Sequence, residues 1–113
     1  MKYYAQTLNL KDDPQVIEKY KEYHRHVWPE VLTGLKKIGI TRMKIFLKGR
    51  RLFMYMETKD SFQLERDFPR YIETNPRARE WDQLMRTFQE PVPEARPGEW
   101  WSPMEEVFDL EKA

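Results

Sequence analysis

The sequence predicts an α+β domain in which one antiparallel sheet carries its helices on a single face. Three observations carry that class. The alternating runs "ITRMKIFLK" and "LFMYMET" flank a short link containing Gly49 and read as a β-hairpin. A helical stretch broken by proline stands on each side of that hairpin. A run rich in β-formers stands near each end of the chain. The order β-αα-β-β-αα-β that results is the ferredoxin-like layout.

Each element has its own warrant. "KYYAQTLNL", Lys2–Leu10, alternates Tyr4, Leu8 and Leu10 against Tyr3, Ala5 and Thr7, so it is the first strand. Asp12 or Asp13 caps the helix that follows, and Pro14 suits its first turn. Ile17, Tyr20 and His24 fall on one face of that helix, with Val16 and Tyr23 beside it. Pro29 forces the chain out of helical geometry at Trp28. "PEVLTGLKKI" restarts as a short helix that Gly39 ends. Beyond the hairpin, "SFQLERDFPRYIETN" is helical, with Ser61 as its cap and Pro69 as an interruption. Asn75 caps the last helix and Pro76 opens it; Trp81, Leu84, Met85 and Phe88 are its apolar face. Gln89–Pro103 holds four of the eight prolines and two tryptophans, so it is a packed loop. "MEEVFDL" closes the chain as a final strand, with Met104, Val107 and Leu110 inward.

At 113 residues the chain has room for one core, hence a single domain over residues 1–113. Hydrophobic residues make up only 40% and mean hydropathy is −0.88, but aromatics reach 14% and each buries a large area. Such a core is thin and aromatic. Aromatics and methionines on the first three strands leave the sheet's open face to be covered by a second copy or a ligand, and a homodimer is expected. The net charge is +1, and "KGRR" is too short to neutralise many phosphates, so nucleic acid is not an expected partner. Without cysteine there is neither a disulfide framework nor a thiolate metal site. No apolar run nears the ~20 residues of a membrane span, and "MKYYAQTLNL" has no signal-peptide core, so the cytoplasm is the expected compartment.

Both histidines lie in "YKEYHRHVWPE". A metal pair, a catalytic acid/base and an ordinary core edge are the three readings of that cluster. Residues two apart on a helix point roughly 200° from each other, and no third histidine or cysteine completes a set, so no metal is expected. His24 shares an apolar face with Tyr20, four residues earlier, whereas His26 falls on the opposite side. On that face an imidazole is either a core-edge group satisfied by backbone or a proton donor and acceptor at neutral pH. Trp81 and the Trp100–Trp101 pair are likewise either packing or aromatic surface for the C–H face of a sugar ring. Paired carboxylates at glycosidase spacing, a glycine-rich phosphate loop and a nucleophile elbow are all missing. Proton transfer alone is the chemistry that remains.

"EKYKEYHRHVWPEVL", with Tyr, His four residues on and then Trp-Pro-Glu, resembles the helix motif of the L-rhamnose mutarotase family. "IFLKGRRLFMYME", "EWDQLM" and "MEEVFDL" follow in the same order, so the resemblance spans nearly the whole chain. It implies a ferredoxin-like domain that pairs through its sheet face as a dimeric α/β barrel. It also implies interconversion of the α and β anomers of a 6-deoxy-L-sugar, with no cofactor. His24 stands at the proton-donating histidine and Tyr20 at a sugar-binding tyrosine. Trp81 stands at the first of a tryptophan pair whose second position is Asp82 here, and Met43 replaces a strand aromatic. Asp82 and Met43 depart from the rhamnose pattern; Trp100 or Trp101 could restore the lost aromatic surface. The tail "PGEWWSPMEEVF" looks more like the L-fucose relatives, which favours fucose over rhamnose. Two rival readings share the architecture: a ligand-binding or dimerisation module without turnover, and a cofactor-free monooxygenase-like enzyme.

Overall fold

The structure is a computed structural model describing residues 1–113. Strand β1 (Lys2–Leu10) leads into helices α1 (Pro14–Arg25) and α2 (Pro29–Lys37). The hairpin β2 (Ile40–Lys48) and β3 (Arg51–Thr58) is followed by α3 (Leu64–Thr74) and α4 (Pro76–Arg86). Two short strands, β4 (Gln89–Glu90) and β5 (Ser102–Pro103), and a terminal 3-10 turn (Leu110–Lys112) complete the chain.

Strand order is β2-β3-β1-β4, with β5 also on β1, and every pairing is antiparallel. Lys48 faces Arg51 across a turn in which Gly49 adopts φ 60°, a backbone state that costs glycine nothing. Gly39, at φ 109°, ends the α2 segment, and its carbonyl accepts from Lys59 N–H at 2.8 Å. Asp13 caps α1 by accepting from Gln15 N–H, and Asn75 caps α4 by accepting from Ala78 N–H.

The period of two divides the sheet cleanly. Leu8, Leu10, Leu52, Met54 and Met56 are buried beneath the helices with Tyr20, Phe62, Met85 and Phe88. Tyr3, Phe46, Phe53 and Tyr55 occupy the other face, where Phe46 stacks on Phe53 at 5.9 Å. The open face is therefore aromatic without being methionine-rich, because Met43, Met54 and Met56 have the opposite parity. On the helix side α2 seats closely: a Cβ on Gly34 would come within 2.5 Å of the Tyr71 ring. Glycine there permits close approach.

Three local expectations need correction. Ser61 does not cap α3; Gln63 holds the cap position, and Asp67 Oδ2 takes its N–H at 2.8 Å. Pro69 does not interrupt α3, since it removes one hydrogen bond on an exposed face while the helix runs on to Thr74. The closing strand "MEEVFDL" does not form. β5 is confined to Ser102–Pro103, and only Met104 N–H adds a further bond, to Ala5 O at 2.9 Å. Met104, Val107 and Leu110 are 47%, 86% and 77% exposed, so none of the three is inward. The edge of β1 is shared with β4, which pairs Asn9 and Leu10, so neither short strand spans it alone. The chain past Met104 is tied instead through Tyr3 Oη, which donates to Glu106 at 2.6 Å.

Candidate active site

A cavity of about 590 Å³ lies between the helices and the β2–β3 part of the sheet. Its wall is mostly apolar, with Met43, Ile45, Leu47 and Met54 supplied by the strands. Polar groups converge from three directions. Tyr20 and His24 come from α1, Asp82 from α4 and Gln89 from β4. An apolar chamber with a few placed polar groups is the usual form of a small-molecule site.

His24 is set by its helix. Its Nδ1 lies 2.9 Å from Tyr20 O, one turn back. A carbonyl oxygen can only accept, so Nδ1 carries the proton and the neutral ring keeps its lone pair on Nε2. Nε2 makes no protein hydrogen bond, and no buried side-chain polar atom of the chain lacks a partner, so Nε2 is accessible. Burial pushes the imidazole below its ordinary value of 6.5, and the Tyr20 carbonyl opposes that in part. At neutral pH His24 therefore starts as a base, one that becomes an acid once it has taken a proton.

The aromatic surroundings hold that ring in place. Tyr20 lies 4.2 Å from it, centroid to centroid, and Trp81 meets it edge-on at 5.5 Å. Trp81 also meets Trp28 at 5.1 Å and Tyr23 at 6.1 Å, so one indole braces both ends of the His24 segment. The Arg77 guanidinium also lies over the Trp28 ring, 3.9 Å from its centroid. Trp28, the residue that Pro29 holds in extended geometry, is thus fixed by aromatic contacts and not by a side-chain cap.

The Tyr20 phenol is buried, and desolvation pushes it up to about 12, while the Gln89 side chain beside it works the other way. Tyr20 is consequently a neutral hydrogen-bonding group and not a base. Asp82 Oδ2 accepts from Arg86 Nε at 3.0 Å, so the carboxylate on the wall has its counter-charge on the next turn of α4. Lys21 and Arg25 also border the cavity, and Arg25 is engaged by Glu22 and Glu18.

Six of the seven residues singled out in the sequence line this cavity: His24, Tyr20, Trp81, Asp82, Met43 and Trp101. Trp100 is not among the lining side chains; it packs on the neighbouring core and donates its indole N–H to Gln89 Oε1 at 2.8 Å. His26 projects from the end of α1, 79% exposed and 3.6 Å from Glu22, well separated in role from His24. No group of three or more His, Asp or Glu side chains is arranged to hold a metal ion. Gln89 was the polar wall residue hidden from the sequence. It reads there as the first residue of a proline-rich loop, whereas the fold pairs it with Leu10 and buries it to 5% exposure. A polar residue directly after the apolar face ending at Phe88 was the only local sign.

Comparison with known proteins bears on the family and the fold. The family model described as L-rhamnose mutarotase matches residues 3–110. A UPF0734 protein of Dictyostelium discoideum is 52% identical over 113 residues, covering 97% of this chain and 90% of that protein. The L-fucose mutarotase of Xanthomonas campestris is 36% identical over 108 residues, covering 94% of this chain and 86% of that one. Among solved structures, the L-rhamnose mutarotase of Formosa agariphila superposes with TM-score 0.71 at 22% identity, over 97% of this chain and 99% of its own. The tetracenomycin F2 cyclase of Streptomyces glaucescens superposes with TM-score 0.63 at 18% identity, over 96% of each chain. At those identities the two structures bear on the fold alone, and both share the ferredoxin-like sheet with its helices. With its full-length family match and a mutarotase relative above one-third identity, the chain belongs to the L-rhamnose mutarotase family of isomerase-type sugar enzymes.

Proposed function

We propose that this protein interconverts the α and β anomers of a 6-deoxy-L-sugar, with L-fucose preferred over L-rhamnose, through His24 as the single acid/base. The observation that carries the reading is the state of His24: Nδ1 engaged by the Tyr20 carbonyl, Nε2 unengaged, and the ring in a cavity wall between Tyr20 and Trp81. Neutral Nε2 takes the proton from the anomeric hydroxyl. As the C1–O1 carbonyl forms, the C1–O5 bond breaks and the imidazolium returns that proton to O5. Rotation about C1–C2 presents the other carbonyl face. Reclosure then runs the same transfers in reverse: O5 gives its proton to Nε2 while bonding to C1, and O1 receives it back. Protons and electrons balance, so no cofactor enters.

Trp81 and Trp101 supply aromatic surface for the ring, and Met43 with its strand neighbours supplies apolar surface for the 6-methyl group. Tyr20 and Asp82 supply hydrogen bonds to hydroxyls. The preference for fucose is supported by the L-fucose mutarotase relative. Asp82, where an aromatic would offer only a flat face, suits a ring with differently directed hydroxyls. Saturation transfer between anomeric protons tests the reading directly. Enzyme-dependent exchange is expected for both sugars and faster for L-fucose; faster exchange of L-rhamnose would reverse the preference, and none with either sugar would sink the mutarotase reading.

The aromatic open face completes the proposal. Phe46 is 54% exposed and Tyr3 42% exposed on one side of the sheet, where a second copy of the chain would remove them from water. Light scattering is expected to give about twice 13.9 kDa, with Phe46→Lys shifting the mass toward one chain. A wild-type mass of one chain would refute pairing.

A further inference from the structure

We infer that Gln89 is a further ligand-contacting residue, whose side-chain amide nitrogen donates to an oxygen of the bound sugar, and that Trp100, behind the cavity wall, is the positioning residue that turns it that way. The inference rests on the sugar reading of the cavity and adds a residue to it.

The direction of the amide follows from what each group is able to do. Gln89 lines the cavity and is 5% exposed. Trp100 does not line it, but its Nε1 lies 2.8 Å from Gln89 Oε1. An indole N–H donates and accepts nothing, so the amide oxygen is the atom turned toward Trp100 and the amide nitrogen the atom turned away. Nε2 carries two protons, and neither makes a hydrogen bond within the protein. No buried side-chain polar atom of the chain lacks a partner, so Nε2 is not sealed in. The open space that Gln89 borders is the cavity. A deeply buried side chain thus keeps a free donor on the chamber wall.

The neighbours hold that orientation. The backbone of Gln89 is paired with Leu10 in the sheet. The Trp100 ring packs on the core cluster that includes Leu8 and Leu10, and the Arg86 guanidinium lies 4.8 Å from its centroid. Arg86 in turn gives its Nε proton to Asp82 Oδ2 at 3.0 Å, which leaves Oδ1 of that carboxylate without a protein donor. Trp100 therefore backs two wall groups of opposite sense: a donor at Gln89 and, through Arg86, an acceptor at Asp82. A neutral polyol uses both, since each of its hydroxyls can give one hydrogen bond and accept others. Water competes poorly for a donor this buried. A ligand that sets carbon against Nε2 leaves it unpaired, so the amide selects for an oxygen at that point.

Two variants divide the claim. Gln89→Met keeps the length and removes the amide; Trp100→Phe keeps a ring for Arg86 but removes the indole donor, which frees the amide to turn over. In anomer exchange of L-fucose each is expected to raise KM by roughly 3- to 10-fold with kcat within about twofold, the range of one neutral hydrogen bond. In the Gln89→Met background Trp100→Phe should add nothing to KM, a result that a packing role would not reproduce. The Gln89 side-chain NH2 pair is assigned in the 15N spectrum by its loss in Gln89→Met. Without sugar that pair should exchange with water, and L-fucose should shift and protect it. An NH2 pair protected from water in the sugar-free protein overturns the inference whether or not any sugar is turned over. So does an unchanged KM in Gln89→Met, or L-fucose bound without moving that pair. A wild type that exchanges neither sugar would strike the mutarotase reading alone and leave the sugar-free amide to decide the donor.

Discussion

Replacing His24 by glutamine is expected to lower enzyme-dependent anomer exchange by about 10²- to 10⁴-fold, the usual worth of a positioned acid/base. The loss should fall on kcat, since the group acts in the transition state more than in binding the sugar. Circular dichroism should show an unchanged fold, because the ring lies at a cavity wall and its one protein hydrogen bond goes to its own helix. The pH dependence carries a sign. The folded-state pKa of His24 lies below 6.5, so neutral imidazole, the form that starts the reaction, prevails at neutral pH. Exchange is expected to fall as acid protonates it, with a midpoint below 6.5. Stability should move the same way. The unfolded chain takes up this proton first, so its contribution to stability is present above pH ~6.5 and declines as pH falls through that value. His24→Gln should remove that part of the slope. Exchange undiminished in the variant would require a different proton carrier.

Trp81→Ala is the second large effect, and it should strike stability and chemistry together. Trp81 touches His24, Trp28 and Tyr23, so its removal opens a void between α4 and the α1–α2 junction. Full burial of such a side chain is worth 3–5 kcal/mol; Trp81 is half-buried, so a loss of about 2–4 kcal/mol is expected in urea unfolding. Freed of its brace, the imidazole no longer keeps one geometry, and a displacement near 1 Å is enough for a roughly 100-fold loss of exchange. Trp81→Phe should recover most of the stability and part of the rate. Stability lost with exchange retained would reduce Trp81 to a core residue.

The legible parts of this molecule are those written in local patterns. Asp13–Pro14 and Asn75–Pro76 mark helix starts because cap and ring chemistry act within one turn. The alternation in β2 and β3 marks the hairpin because side chains on a strand change face at every residue. Tyr20 and His24 pair at four residues apart for the same local reason. "MEEVFDL" has an apolar pattern that suits a strand, yet a strand needs a partner edge. That edge of β1 is divided between β4 and β5, a fact of the tertiary fold. Pro69 misleads in the opposite sense: one lost hydrogen bond on an exposed face is outweighed by the buried side of α3, where Tyr71 packs under Gly34.

By itself the sequence determined the ferredoxin-like order of elements, the family motif around His24, and the residue types available for chemistry, since all of these depend on neighbours within a few positions. Only the tertiary structure decided which of them meet. Trp101 reached the cavity wall and Trp100 did not, although they are adjacent in the chain and alike in composition. Gln89, unremarkable between a helix and a proline-rich loop, became a buried part of the cavity wall because pairing with Leu10 carried it there. Burial and the direction of a hydrogen bond belong to groups far apart in sequence, and folding is what brings them together.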